Sequence, residues 1–74
     1  MKKSVIINVY KKHKFISWYS NSSILNIQGF DSKKDIDIWL EFMFAIYGDL
    51  CVFGSFNKCN NEIINRILKA EEIL

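Results

Sequence analysis

The sequence contains no proline, one arginine (Arg66), one histidine (His13), two cysteines (Cys51 and Cys59) and three glycines among its 74 residues. Each shortage removes a class of chemistry. A structural zinc site needs four ligands, and His13 stands far in sequence from both thiols, so no metal is expected. Gly29, Gly48 and Gly54 are widely separated, which leaves no glycine-rich loop to cradle a phosphate or a nucleotide cofactor. A nucleophilic Ser or Cys needs a base within hydrogen-bond reach, and His13 is the one side chain whose ordinary titration lies near neutral pH. It sits among lysines with no carboxylate beside it in sequence. The residues therefore predict no catalytic set, no cofactor and no enzyme.

Long apolar runs are missing too. Asp, Glu, Lys or Asn interrupts every stretch that approaches the ~20 residues needed to span a bilayer, so no membrane association is expected. Met1-Lys2-Lys3 ahead of an apolar segment has the outline of a secretion signal. However, Asn8 breaks the segment, Lys11-Lys12-His13-Lys14 follows it, and no small-residue cleavage pattern appears. The expectation is a cytoplasmic protein whose two thiols stay free. Acids are absent from the first 30 residues, which carry five Lys and a charge of +5. Residues 31–74 carry five basic and eight acidic side chains, or −3, and the sum is +2.

Against these absences, half of the chain is apolar and 15% is aromatic, which is enough large side chains for one folded domain over residues 1–74. No repeat, linker or low-complexity tract divides it. Twelve Ile, nine Lys and seven Asn against two Ala reflect A/T-rich codons, as in a low-GC bacterium or one of its phages.

Periodicity predicts an α+β domain in the order β-β-β-α-β-α. Residues 4–10 alternate, with Val5, Ile7 and Val9 on one face, and are rich in β-branched side chains. Lys11-Lys12-His13-Lys14 would turn the chain into a second strand over residues 15–20, with Ile16 and Trp18 on one side. Ser20-Asn21-Ser22-Ser23 is a second turn, leading to a strand over residues 24–30 and completing a three-stranded antiparallel meander. Ser32 is a helix N-cap with Asp35 three residues on, and the helix runs to about Tyr47, closed by a left-handed Gly48. A fourth strand over residues 50–56, apolar enough to be buried on both faces apart from its end, would run parallel to the third after a crossover. Asn57 or Asn60 would cap a last helix reaching nearly to Leu74, with Ile63, Ile64, Ile67, Leu68 and Leu74 on one face and Glu62 and Arg66 paired on the other. Both helices are expected on one face of the sheet.

Three constellations could carry function. Gly54-Ser55 and Asp35-Ile36-Asp37 are residue types of a nucleotidyltransferase metal site, but in the reverse of that family's order. A strand glycine and a helix N-terminal acidic pair account for them. Lys11, Lys12, His13 and Lys14, joined by Lys33 and Lys34 at the same end of the meander, form a basic cluster suited to phosphates or an acidic protein surface. The helix over residues 35–47 has a polar or small face (Lys33, Lys34, Asp37, Glu41, Ala45, Gly48) and a core face (Ile36, Trp39, Leu40, Met43, Ile46, Tyr47). Ile38, Phe42 and Phe44 on its flanks exceed what a surface helix needs. Either the fourth strand and last helix wrap around it, or Phe42 and its neighbours form an interface, including that of a homodimer.

The function expected is that of a non-enzymatic protein-binding module. Size and codon usage suit a phage or mobile-element inhibitor of a host defence complex, of the anti-CRISPR type. The alternative is a small nucleic-acid-binding protein that uses the basic end and exposed aromatics.

Overall fold

The computed structural model describes residues 3–9 and 13–73, with side chains through residue 70. Six elements occur in the predicted order: β1 (Ser4–Asn8), β2 (Phe15–Ser20), β3 (Ile24–Phe30), α1 (Lys33–Tyr47), β4 (Val52–Phe56) and α2 (Asn61–Ile73). The class is α+β, with a four-stranded mixed sheet and two helices. Tyr10 and Leu74, the predicted ends of the first strand and last helix, lie outside the described residues.

Local chemistry sets most boundaries. Asn21 Oδ1 accepts from the N–H groups of Ser23 (2.7 Å) and Ile24 (2.9 Å), and Asn21 N–H donates to the Ile24 carbonyl (2.9 Å), which closes the β2–β3 hairpin. Short polar side chains favour such turns because they can bond their own backbone. Ser32, in extended backbone, accepts from Asp35 N–H at 3.2 Å and starts α1. Asn60 accepts from Ile63 N–H at 2.9 Å, so of the two candidates it is Asn60 that caps α2. Gly48 is not left-handed: it keeps right-handed helical geometry (φ −52°, ψ −38°) and donates to the Phe44 carbonyl. The chain leaves α1 instead through a turn in which Leu50 and Cys51 both donate to the Tyr47 carbonyl, at 2.9 and 3.0 Å.

The sheet is not a meander. Its order is β1-β3-β2-β4, with β1 parallel to β3 and β2 antiparallel to both β3 and β4. β3 lies between β1 and β2, so the hairpin predicted to join those two strands does not form. Six residues separate β1 from β2, which is more than a tight hairpin requires, so the two strands need not be neighbours. β4 runs in the same direction as β3 but pairs with β2. It is therefore an edge strand, shorter than expected; its end, Phe56, is exposed as predicted, but Val52 at its start is exposed too, where burial on both faces was expected.

The helices lie on opposite faces, not on one. Registry places Ile16, Trp18, Leu25 and Ile27 on one side of the sheet. There Ile16, Leu25 and Ile27, all 0–1% exposed, pack with Ile67 of α2, flanked by Val9, Trp18, Ile63, Ile64 and Leu68. Burying each such side chain contributes about 1.5–3 kcal/mol. The alternate residues Tyr19, Phe30 and Phe53 meet α1: Tyr19 stacks on Tyr47 (5.3 Å between ring centroids), and Trp39 contacts both Tyr19 (5.7 Å) and Phe30 (5.4 Å). This second face is partly polar. Buried Ser17 bonds Ser55 Oγ (2.9 Å) and the Gly54 carbonyl (3.1 Å), and Asn26 Nδ2 donates to Tyr19 Oη (3.2 Å). β2 and β3 need cover on both sides because they are central, and one helix on each side supplies it.

Burial pushes the Tyr19 hydroxyl above its ordinary pKa, outweighing the bond from Asn26, which lowers it. The unfolded chain thus loses this proton at lower pH than the folded one. The contribution to stability is complete below pH ~10 and is lost as pH rises through the folded value. Urea midpoints measured from pH 8 to 11 should fall in the wild type, and Tyr19→Phe should remove part of that slope.

Gly54 faces Trp18 across the β2–β4 ladder, and a Cβ there would lie 2.5–2.7 Å from the indole. The glycine lets the ring lie flat over the strand. Gly54→Ala should cost about 1–3 kcal/mol through displacement of Trp18, read as a lower melting temperature with altered tryptophan fluorescence.

Candidate functional site

The basic end is partly assembled. His13 Nδ1 lies 2.9 Å from Asp31 Oδ1, and its ring covers Gly29, where a Cβ would meet it at 2.5 Å. This contact holds the connection before β2 against the end of β3, next to the start of α1. Lys14, Lys33 and Lys34 are exposed. Lys11 and Lys12 lie outside the described residues. The cluster is not purely basic, because Asp31 stands within it and exposed Asp35 and Asp37 follow the two lysines of α1. Sequence proximity could not reveal the partner of His13, which is 18 residues away.

The nucleotidyltransferase-like residues do not converge. Gly54 serves Trp18 and Ser55 bonds Ser17, while Asp35 and Asp37 are exposed in the first turns of α1. No group of three His, Cys, Asp or Glu side chains among the described residues is placed to hold a metal. Cys51 and Cys59 are free thiols. Asn21 Nδ2 donates to Cys51 Sγ at 3.4 Å, and burial pushes the Cys59 thiol up, which keeps it protonated and slow to react at neutral pH. No helix of the described residues is long and apolar enough to cross a membrane.

The most distinctive surface is the outer side of α1. Ile36 is buried against the sheet, and Trp39, Leu40, Met43 and Tyr47 are half-buried beside it. Ile38, Phe42 and Ile46, spaced at i, i+4 and i+8, form one stripe on the side turned away from the sheet, and they are 54%, 68% and 55% exposed. Ile46 had been assigned to the core face and is outside it. Ile38 and Phe42 lie on the far side of the helix from Ile36 and Tyr47, Ile46 stands at the edge of the stripe next to Trp39, and Tyr47 stacks on Tyr19. Leu50, past the helix end, is also exposed, and Phe44, tilted against Phe53 (5.3 Å between ring centroids), lies on the other flank of α1, separated from the stripe by Glu41 and Ala45. Because α2 covers the opposite face of the sheet, neither it nor β4 wraps around α1. The excess of apolar residues on this helix is therefore left in solvent. Exposed Asp35, Asp37, Glu41 and Asp49 rim the stripe.

The chain matches no family model, no curated protein and no solved structure.

Proposed function

We propose that the protein is a non-enzymatic module that binds another protein through the outer face of α1. One observation carries this: Ile38, Phe42 and Ile46 form a contiguous apolar stripe on a helix whose opposite side already packs on the sheet. A stripe of this kind inside a charged rim is the usual anatomy of a helix that docks in an apolar groove. Phe42, centred in it, is the expected anchor. The size of the domain and its amino-acid usage, skewed towards residues favoured by A/T-rich codons, extend the proposal to a cytoplasmic inhibitor, made by a phage or mobile element, that occupies a surface of a host complex such as a CRISPR-type defence assembly.

A second function, nucleic-acid binding at the basic end, draws on the His13–Asp31 contact, which brings Lys14 to the same end as Lys33 and Lys34. The acids within that cluster and the net charge of +2 weigh against it. Titrating labelled single- and double-stranded oligonucleotides at low salt separates the two. Protein binding through α1 predicts no saturable complex. Micromolar or tighter binding, lost on reversing Lys14, Lys33 and Lys34 and falling steeply with salt, would replace it with the second function.

A further inference from the structure

We propose that the open edge of β4 pairs with the same edge of a second copy of the chain, antiparallel about a twofold axis at Gly54, so that two four-stranded sheets become one. β4 ends the sheet and pairs on one side with β2. The Gly54 carbonyl accepts from Ser17 Oγ on β2 at 3.1 Å, so Gly54 turns its backbone groups inward. By the alternation of a strand, Phe53 and Ser55 turn theirs outward along the edge. Antiparallel pairing centred on Gly54 sets Phe53 of each copy against Ser55 of the other, and both hydrogen bonds of each such pair can form. Gly54 meets Gly54 at the axis, where the lack of a side chain leaves the Trp18 ring undisturbed over the strand.

The side chains match themselves in the same register. Val52, 66% exposed, stands opposite Phe56 of the other copy, 38% exposed, and the match is made twice. On the other face, Phe44 leans on Phe53 from the flank of α1 nearest β4, and Leu50 lies just before the strand; both are exposed. At roughly 100 Å² of exposed surface each, these four residues supply about 800 Å² over two copies, which with the backbone reaches the low end of a specific interface. Charge selects a copy of the chain over another strand. Residues 50–57 contain no charged side chain and no proline to blunt the edge, and the first charges beyond them are opposite in sign: exposed Asp49 before β4 and exposed Lys58 after it. Lys14, at the start of β2, adds to the positive end. Lys3 reaches the Asp49 end, but its ammonium is held by Ser20 Oγ at 3.1 Å, one strand in from the edge. Glu62, four residues after Lys58, is taken by Arg66. Antiparallel pairing about Gly54 brings each Lys58 level with Leu50 of the other copy, next to its Asp49, whereas parallel pairing would set like charge on like.

The test is sedimentation of the full chain at low salt over a range of concentrations, where a reversible monomer–dimer equilibrium is expected. Asp49→Lys and Lys58→Asp should each weaken the dimer roughly tenfold or more, by setting like charges together at both ends of the paired strands, with little change in melting temperature. An equimolar mixture of the two variants should dimerise as the wild type does, because each supplies the sign that the other lacks. Val52→Asp should abolish the dimer. Phe42→Asp should leave it unchanged, since the stripe on α1 is a separate surface. The proposal is overturned if the chain stays monomeric up to about millimolar concentration, if the mixture dimerises no more tightly than either variant alone, or if Phe42→Asp dissolves the dimer and Val52→Asp does not.

Discussion

Ile27→Ala should destabilise the domain by about 3–4 kcal/mol and move its urea midpoint well below that of the wild type. Ile27 is 0% exposed at the centre of β3, paired with Trp18 on one side and Ile7 on the other, and belongs to the cluster closed by Ile67. The truncation removes the transfer energy of the lost carbons and leaves a cavity that a sheet held on both sides cannot collapse around. A chain of this length has roughly 4–11 kcal/mol in total. The cost is therefore a large fraction of all the stability it possesses. Urea denaturation followed by circular dichroism reads it directly, and a cost under about 1 kcal/mol would mean that α2 does not close over this face.

Trp39→Ala and Phe42→Ala should differ by several-fold in their effect, although both remove a large aromatic ring from the same helix three residues apart. Trp39 lies against Tyr19 and Phe30, so its loss should cost about 2–4 kcal/mol. Phe42 is 68% exposed, and its loss should change stability by less than about 0.5 kcal/mol. Measured side by side in urea, the two variants fix the rotation of α1 about its axis. A costly Phe42→Ala with a neutral Trp39→Ala would reverse the assignment of core and surface.

The elements were legible because each has a local cause. Alternation marks the strands, Ser32 and Asn60 cap the helices, and Asn21 makes the β2–β3 turn. The pairing order was not legible, since residues 11–14 and 20–23 both look like turns and nothing local distinguishes a neighbour from a strand one place removed. The same gap hid the placement of the helices. Both alternate sets of β2 and β3 carry large residues, Ile16 and Ile27 on one side and Tyr19 and Phe30 on the other, so the pattern did not reveal that each face receives a helix. On α1, the surplus of Ile38, Phe42 and Phe44 was visible as periodicity. Ile46 was misplaced because its side depends on how the helix is rotated over Tyr19, which is a tertiary contact. The exposure of β1 follows from its edge position and had no sequence signal beyond the missing charges.

The central claim is that α1 meets a protein partner through its outer stripe, and site-specific photo-crosslinking tests it most directly. A photoreactive phenylalanine analogue is placed at Phe42 in one variant and at Asn65, exposed on α2, in another. Each folded variant is irradiated in nuclease-treated lysate of a low-GC bacterial host. The account predicts a discrete protein adduct from position 42 that is absent from position 65 and lost when Ile38 and Ile46 are both changed to Asp. Adducts of equal yield from both positions, or none from position 42, would contradict it.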